Sequence, residues 1–511
     1  MAELVNPLLP GFYPDPSICR VEDDFYMVTS TFSYFPGVPV FHSRDLRYWE
    51  QIGHVLDRPE QLPLDWQYIS GGVYAPTIRW HDGLFYMITT NVSHGGNFFC
   101  TAKDPAGPWS DPSYVKGAPG IDPTLFWDDD GECYMMGTTD WQEQKPGVWI
   151  GKIDLENSCI VGERQLVWTG ALVNAWAPEA PHVYKKDGWY YLMIAEGGTE
   201  HYHAVTIARS RNILGPYEGY RGNPILTHRH LGEDYPICNV GHADLVQLRD
   251  GNWYMVALAS RIYGGYHKNL GRETFIAPVD WTGEWPVVSP GTGRVEWSYP
   301  APNLPDSPVP EQDHNRFDAL VWNTLGTPND KDLRIDGNTL RLRCQAKKPL
   351  PEDEPDHRRP NGMLGFYGRR QQHMSFSAAV NATLPDVENA ACGLMVLQNN
   401  FAQLRIELSR TASGVSLRAV KAWHDDAGNH TELLGETTHT GLSARLGITA
   451  EGQRYRLLCD GKTIGEALGG FLGSESCGGF VGAYVGPFAT GNGTDMAQEA
   501  TFTNFHYQAN D

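Results

Sequence analysis

Three acids, Asp15, Asp122 and Glu179, stand at or beside matched places in a segment that recurs five times in the first 300 residues, and His242 holds that place in the last copy. The copies are DPSICRVEDDFYMVTS from Asp15, APTIRWHDGLFYMITT from Ala75, DPTLFWDDDGECYMMGT from Asp122, APHVYKKDGWYYLMIA from Ala180, with Glu179 directly before it, and HADLVQLRDGNWYMVALA from His242. From the Pro, or Ala243 in the last copy, to the Tyr the step is 10, 10, 11, 10 and 11 residues. Acids crowded into one partly desolvated pocket cannot all ionise alike, so their pKa values are driven apart. Cleavage of a glycosidic bond uses such a set: one carboxyl keeps a proton near neutral pH, one is ionised, and a third can raise the donor's pKa and orient it. A gap of roughly 6.5–9.5 Å between two of them admits a water and inverts the anomeric carbon, whereas roughly 5 Å leads to a covalent intermediate. An Asp before Pro is also a common turn former or cap. Solvated surface charge, however, has no reason to follow a repeat register, and packing like charges together costs energy unless function requires it.

The elements that must position these residues can be read from the same segments. Each copy predicts a hairpin: an apolar strand, a turn at Asp-Gly or Asp-Asp, then a strand of aromatic and β-branched residues. The Pro suits the first residue of a strand, since it cannot donate to a ladder. Repeat starts lie 47 to 62 residues apart, enough for a four-stranded antiparallel sheet, and radial repetition of such sheets is a propeller. An all-β fold with a five-bladed β-propeller is therefore expected, with the matched residues meeting around its axis.

At 511 residues the chain is long enough for two cores. Its 55 Gly, 35 Pro and 12% aromatic residues suit many short strands and tight turns. A formal net charge of -21 repels phosphate backbones and anionic lipid, so nucleic acid and membrane are not expected partners and a neutral substrate is favoured. The start MAELVNPLLPGFYPDPS has neither a basic nor an apolar leader region, and no apolar run approaches the roughly 20 residues of a membrane span. A cytoplasmic location is the expectation. Nine cysteines without a C-x-x-C pair indicate reduced, mostly buried thiols rather than a disulfide framework or zinc knuckle. There is no G-x-S-x-G elbow, Walker A loop or G-x-G-x-x-G opening a helix.

The Pro-rich stretch SYPAPNLPDSPVPEQDHNRF predicts a linker, dividing the chain into a catalytic propeller over 1–300, a linker over 301–315 and a β-sandwich of jelly-roll or concanavalin-like type over 316–511. Segments such as LRIDGNTLRLRC, AQLRIELSRT and GVSLRAVKAW alternate as antiparallel strands do. PLPEDEPDHRRPNG, 349–362, is expected as an exposed loop. No acid constellation occurs here, so this domain is expected to support rather than catalyse.

The stretches NPLLPGFYPDPS, TSTFSYFPGVPVFHSRDLRYW, GIDPTLFWDDDG, APEAPHVYKKDGWYYL, GHADLV and NLGRETFIAPVDW resemble the blade motifs of glycoside hydrolase family 43, over nearly the whole chain. Within that family the chain most resembles β-xylosidases and related α-L-arabinofuranosidases with a C-terminal sandwich. The resemblance implies Asp15 as general base activating water, Glu179 as general acid and Asp122 as the pKa modulator that orients Glu179. It also implies Arg272, in GRET, as an arginine facing the sugar in the innermost subsite, and Phe32, in TSTF, as that subsite's aromatic wall. From the residues alone, Arg272 could equally pair with Glu273, and Phe32 could be core. Tyr74, in GGVYAP, stands where the family often has Trp, so the sugar platform differs in size and gains a hydroxyl; xylose or arabinose preference stays open.

For His242 the resemblance implies Ca2+ held mostly through waters, besides any contact with substrate, the plain alternative being a satisfied core histidine. The pairs His201/His203 and His228/His230 lack a zinc signature and fit loops. GRRQQH and GAYVGPFATGNG resemble the family's sandwich module, in which one loop aromatic walls the leaving-group subsite. By motif position that residue is Tyr484, with Phe488 next, and either could be packed core. Together these likenesses imply an inverting, exo-acting glycosidase that releases D-xylose from the non-reducing ends of β-1,4-xylo-oligosaccharides, the second domain closing the pocket to all but chain ends. An α-L-arabinofuranosidase, or an enzyme with both activities on arabinoxylan fragments, would use the same three acids. A retaining propeller hydrolase of the fructan type and a non-catalytic sugar-binding propeller are the other readings. The expected partner is a small oligosaccharide, with no organic cofactor; formation of a homo-oligomer is left open.

Overall fold

The computed structural model describes residues 2–510 except 65–67, 141–144, 174, 310–312, 350–363, 400 and 426. The loop expected over 349–362 lies outside the described residues but for Pro349, and the linker is described apart from 310–312. Each repeat folds into its hairpin. At Asp82-Gly83 and Asp187-Gly188 both central residues have positive φ, the turn whose twist matches the flanking strands. Two further strands complete each blade, giving five four-stranded antiparallel meanders.

The strands Ser17–Val21, Thr77–His81, Thr124–Trp127, Glu179–Lys186 and Ile237–Gln247 open blades one to five. These opening strands contact one another in cyclic order, and the fifth returns to the first. They therefore line the axis of a closed five-bladed propeller.

No blade takes a strand from another blade or from the far end of the chain, so no shared sheet locks the last blade to the first, and side chains do much of the closing. Asn6 bonds both Ile276 O (2.8 Å) and Ile276 N (2.9 Å) in blade five, while Glu3–Val5 pairs with Ser298–Pro300. Asp244 of blade five, fully buried, accepts Ser17 Oγ of blade one at 2.7 Å, Arg79 Nη1 of blade two at 2.8 Å and Tyr184 Oη of blade four at 2.7 Å. Burial alone would raise its pKa, but Arg79 and these donors hold it far below the usual carboxylate range. Truncating one member of such a pair strands the other charge. The Asp244→Ala protein should thus lose roughly 3–5 kcal/mol, read as a lower urea midpoint; an unchanged midpoint would mean the ring closes without it.

From Trp322 onward the chain forms an eight-stranded and a seven-stranded antiparallel sheet packed over an apolar core. The edge strand of the larger sheet is Tyr34–Phe35, contributed by blade one, which pairs with Trp322–Leu325. A shared core containing Phe12, Phe32, Tyr34, Leu397, Tyr484 and Phe488 seals the junction. Propeller and sandwich are thus joined by both hydrogen bonds and apolar burial, directly behind the axial pocket. No helix among the described residues is long and apolar enough to cross a membrane.

Candidate active site

At four of the five matched positions the backbone takes the same uncommon turn: φ is 56° at Asp15, 55° at Asp122, 52° at Ala180 and 45° at His242. Non-glycine residues seldom adopt this left-handed region, and such strain tends to collect at functional sites. The pocket at the axis is lined by Asp15, Asp122, Glu179 and His242 together with Arg272. Ligand atoms of Asp122, Glu179 and His242 lie within 4.8 Å of one another.

Their surroundings separate the acids. Burial would raise the pKa of Asp15, but the Arg272 guanidinium 2.8 Å away, the nearby His242 and the Ser30 hydroxyl at 2.5 Å hold it below the ordinary range. Glu179 is pushed up to about 8, first by burial and then by the Asp15 charge, with Arg272 opposing. Asp122 is raised well above its usual value by burial, Glu179 and Asp15, against the pull of the Ala180 N–H. One carboxyl is thus held ionised and two are held toward the protonated form, the division that acid–base cleavage requires. Asp122 Oδ2 also accepts the N–H of Ala180 at 3.3 Å, which fixes the backbone directly after Glu179.

Arg272 does not pair with its neighbour Glu273, whose carboxylate is taken by Arg261 (2.7 and 2.9 Å) and by Gly11 N. It faces Asp15, reaches Thr199 Oγ1 at 3.1 Å, and donates to Phe480 O of the sandwich at 3.2 Å. Phe32 and Tyr74 form the aromatic wall, their centroids 5.0 Å apart, with Arg272 over the Phe32 ring.

The expectation for Tyr484 requires correction. Its ring is fully buried and stacked on Tyr34 at 3.8 Å, in a strand, Tyr484–Thr490, that is buried throughout; Phe488 is buried in the same core. The sandwich aromatic that reaches the pocket is Phe480, from the loop before that strand, 6.4 Å from both Phe32 and Tyr74. A strand facing an apolar core has no free side chain to lend, whereas a loop has. Ser30, Thr199 and Trp176 also went unread in the sequence; only Trp176, in the turn-rich NAWAPEAP segment just before the acid, offered a signal there. His203 and His228 bond the carbonyls of Asn239 and Ile237 respectively, bracing loops.

A family model described as glycosyl hydrolases family 43 matches residues 4–286, and one described as the beta xylosidase C-terminal concanavalin A-like domain matches 315–508. The chain is 42% identical to a xylosidase/arabinosidase of Butyrivibrio fibrisolvens over 98% of both chains. It is 37% identical to the non-reducing end alpha-L-arabinofuranosidase BoGH43B of Bacteroides ovatus, over 99% of this chain and 95% of that one. Among solved structures, the Bacteroides ovatus GH43B protein superposes with a TM-score of 0.88 at 37% identity, covering 99% of this chain and all of that one. A xylan beta-1,4-xylosidase from Bacillus halodurans gives 0.88 at 30% identity with the same coverage.

Proposed function

The chain belongs to glycoside hydrolase family 43, and from that premise we propose that it is an inverting, exo-acting β-xylosidase on short β-1,4-xylo-oligosaccharides. The observation that carries the roles is the split in ionisation between Asp15 and Glu179. Asp15 takes a proton from a water as that water attacks the anomeric carbon, Glu179 gives its proton to the leaving oxygen, and Asp122 holds the backbone directly after Glu179, whose proton is kept by burial and by the Asp15 charge. Exo action is supported by the pocket wall that Phe480 adds from the second domain. Proton NMR during hydrolysis of xylobiose tests the stereochemistry. α-Xylose should appear first; β-xylose first would mean retention. Release of arabinose as well is a second reading, favoured by the two-activity name of the Butyrivibrio relative. Rates on p-nitrophenyl xyloside and arabinofuranoside separate the two, and a strong arabinose preference overturns the first.

Calcium enters this proposal only as a water-clad ion at His242, outside the proton relay. Direct ligation by Asp122, Glu179 and His242 would give one nitrogen and two oxygens where calcium takes six to eight oxygens, and would strip the proton from Glu179. Burial keeps the His242 ring neutral by lowering its pKa, so a ring nitrogen is available as a ligand. Dialysis against EDTA should lower Tm while kcat stays within about twofold, since no proton transfer runs through the ion; loss of all turnover would put the ion in the chemistry. Action in a reducing compartment is supported by the nine free cysteines, seven of them buried.

A further inference from the structure

We propose that His439, Cys459 and Asp460 form a binding site for a zinc-class divalent ion, which clips the two sheets of the sandwich together where their edges meet. The site belongs to the second domain, apart from the axial pocket, and does not depend on which sugar the propeller cleaves. The strand Gly428–His439 ends the eight-stranded sheet on one side, and Lys462–Leu468 ends the seven-stranded sheet. These two terminal strands touch across the sandwich, so closely that a Cβ on Gly435 would stand 2.0 Å from Ile464 O. His439 is the last residue of the first strand. Cys459 closes the strand Arg454–Cys459, and Asp460 opens the turn into Lys462–Leu468. One ligand atom from each of the three residues lies within 4.8 Å of the other two.

Each side chain is held by contacts outside the trio. His439 Nδ1 donates to Gly441 O at 3.2 Å, which leaves the neutral ring's lone pair on Nε2; a carbonyl partner of this kind orients metal-bound imidazoles generally. Asp460 is tied to the neighbouring strand twice, its N–H donating to Arg445 O at 2.8 Å and its Oδ1 accepting Arg445 N–H at 3.1 Å. Its other oxygen, Oδ2, faces Cys459 Sγ at 3.7 Å. Cys459 is buried, while half-buried His439 and exposed Asp460 leave a way in from solvent. Burial, then the Asp460 charge, push the Cys459 thiol up to about 11, because a thiolate there would adjoin a second anion. A divalent ion reverses that balance: it takes thiolate and carboxylate together, and the Cys459 proton passes to solvent. The donor set selects the metal. Imidazole, thiolate and carboxylate suit zinc, with a water as fourth ligand, whereas calcium and magnesium take oxygen. Two ligands come from one hairpin and the third from the opposite sheet, so the bound ion is a cross-link between the sheets.

Co2+, which occupies zinc sites and is coloured there, is the probe. The full chain is stripped with EDTA, desalted and titrated with Co2+. The parent should show a thiolate-to-cobalt charge-transfer band in the near ultraviolet and the visible bands of a tetrahedral centre, and Zn2+ should bleach both. Cys459→Ser should abolish the charge-transfer band, and His439→Gln, at a partly exposed strand end, should weaken Co2+ binding at least about tenfold. The thiolate band is the readout because the axial cluster of Asp122, Glu179 and His242 has no sulfur to give one. No such band in the parent, a band retained in Cys459→Ser, or unchanged affinity in His439→Gln would each overturn the site. If Cys459→Ser does not fold, His439→Gln decides alone.

Discussion

The Asp15→Asn protein should lose about 10³-fold in kcat on every glycoside it cleaves, with KM little changed, because the base is needed whatever the leaving group. Asn keeps the volume and can still meet Arg272, so the loss reports the missing base rather than a stranded guanidinium. Asp15 is suited to the role by three neighbours: Arg272 at 2.8 Å, Ser30 at 2.5 Å and His242 Nδ1 at 3.7 Å from its carboxylate. They keep it ionised well into the acid range. Steady-state rates on xylobiose and on p-nitrophenyl xyloside measure this. Equal losses on both are expected, and a variant within about tenfold of the parent, short of the usual general-base contribution, would place the base elsewhere.

Positions of the acids were legible because a radially repeated fold imposes its register on sequence: matched residues must converge, and four of the five share one backbone bend. The number of blades followed from the same repeat. Contacts that depend on distant chain segments were not legible. Arg272 lies 257 residues from Asp15, and the local pattern GRET pointed as readily to Glu273. The same holds for Tyr34–Phe35, which looks like part of a blade but completes a sandwich sheet. At the junction the motif resemblance located the right loop-and-strand unit yet chose Tyr484, four residues past Phe480. Both are aromatic, and only the fold reveals which one is consumed by the core.

Glu179→Gln should separate substrates that Asp15→Asn does not. A poor leaving group such as a sugar hydroxyl needs its proton in the transition state, so xylobiose turnover should fall about 10³-fold, while p-nitrophenyl xyloside, whose phenolate leaves unaided, should fall by far less. The parent's kcat/KM should decline as pH rises through the Glu179 value of about 8, and the variant should lack that alkaline limb. Stability should change in the opposite direction. A carboxyl whose pKa is raised on folding binds its proton more tightly in the native state, so its contribution is intact below the unfolded value and drains away as pH rises through the folded one. At pH 8 the native parent is therefore disfavoured by a half-buried charge that Gln does not carry. The variant should melt higher than the parent at pH 8, with the gap closing toward pH 4. If the two melted alike at every pH, Glu179 would not be the proton-holding acid, and its role would pass to Asp122, the other carboxyl raised by burial and by its neighbours.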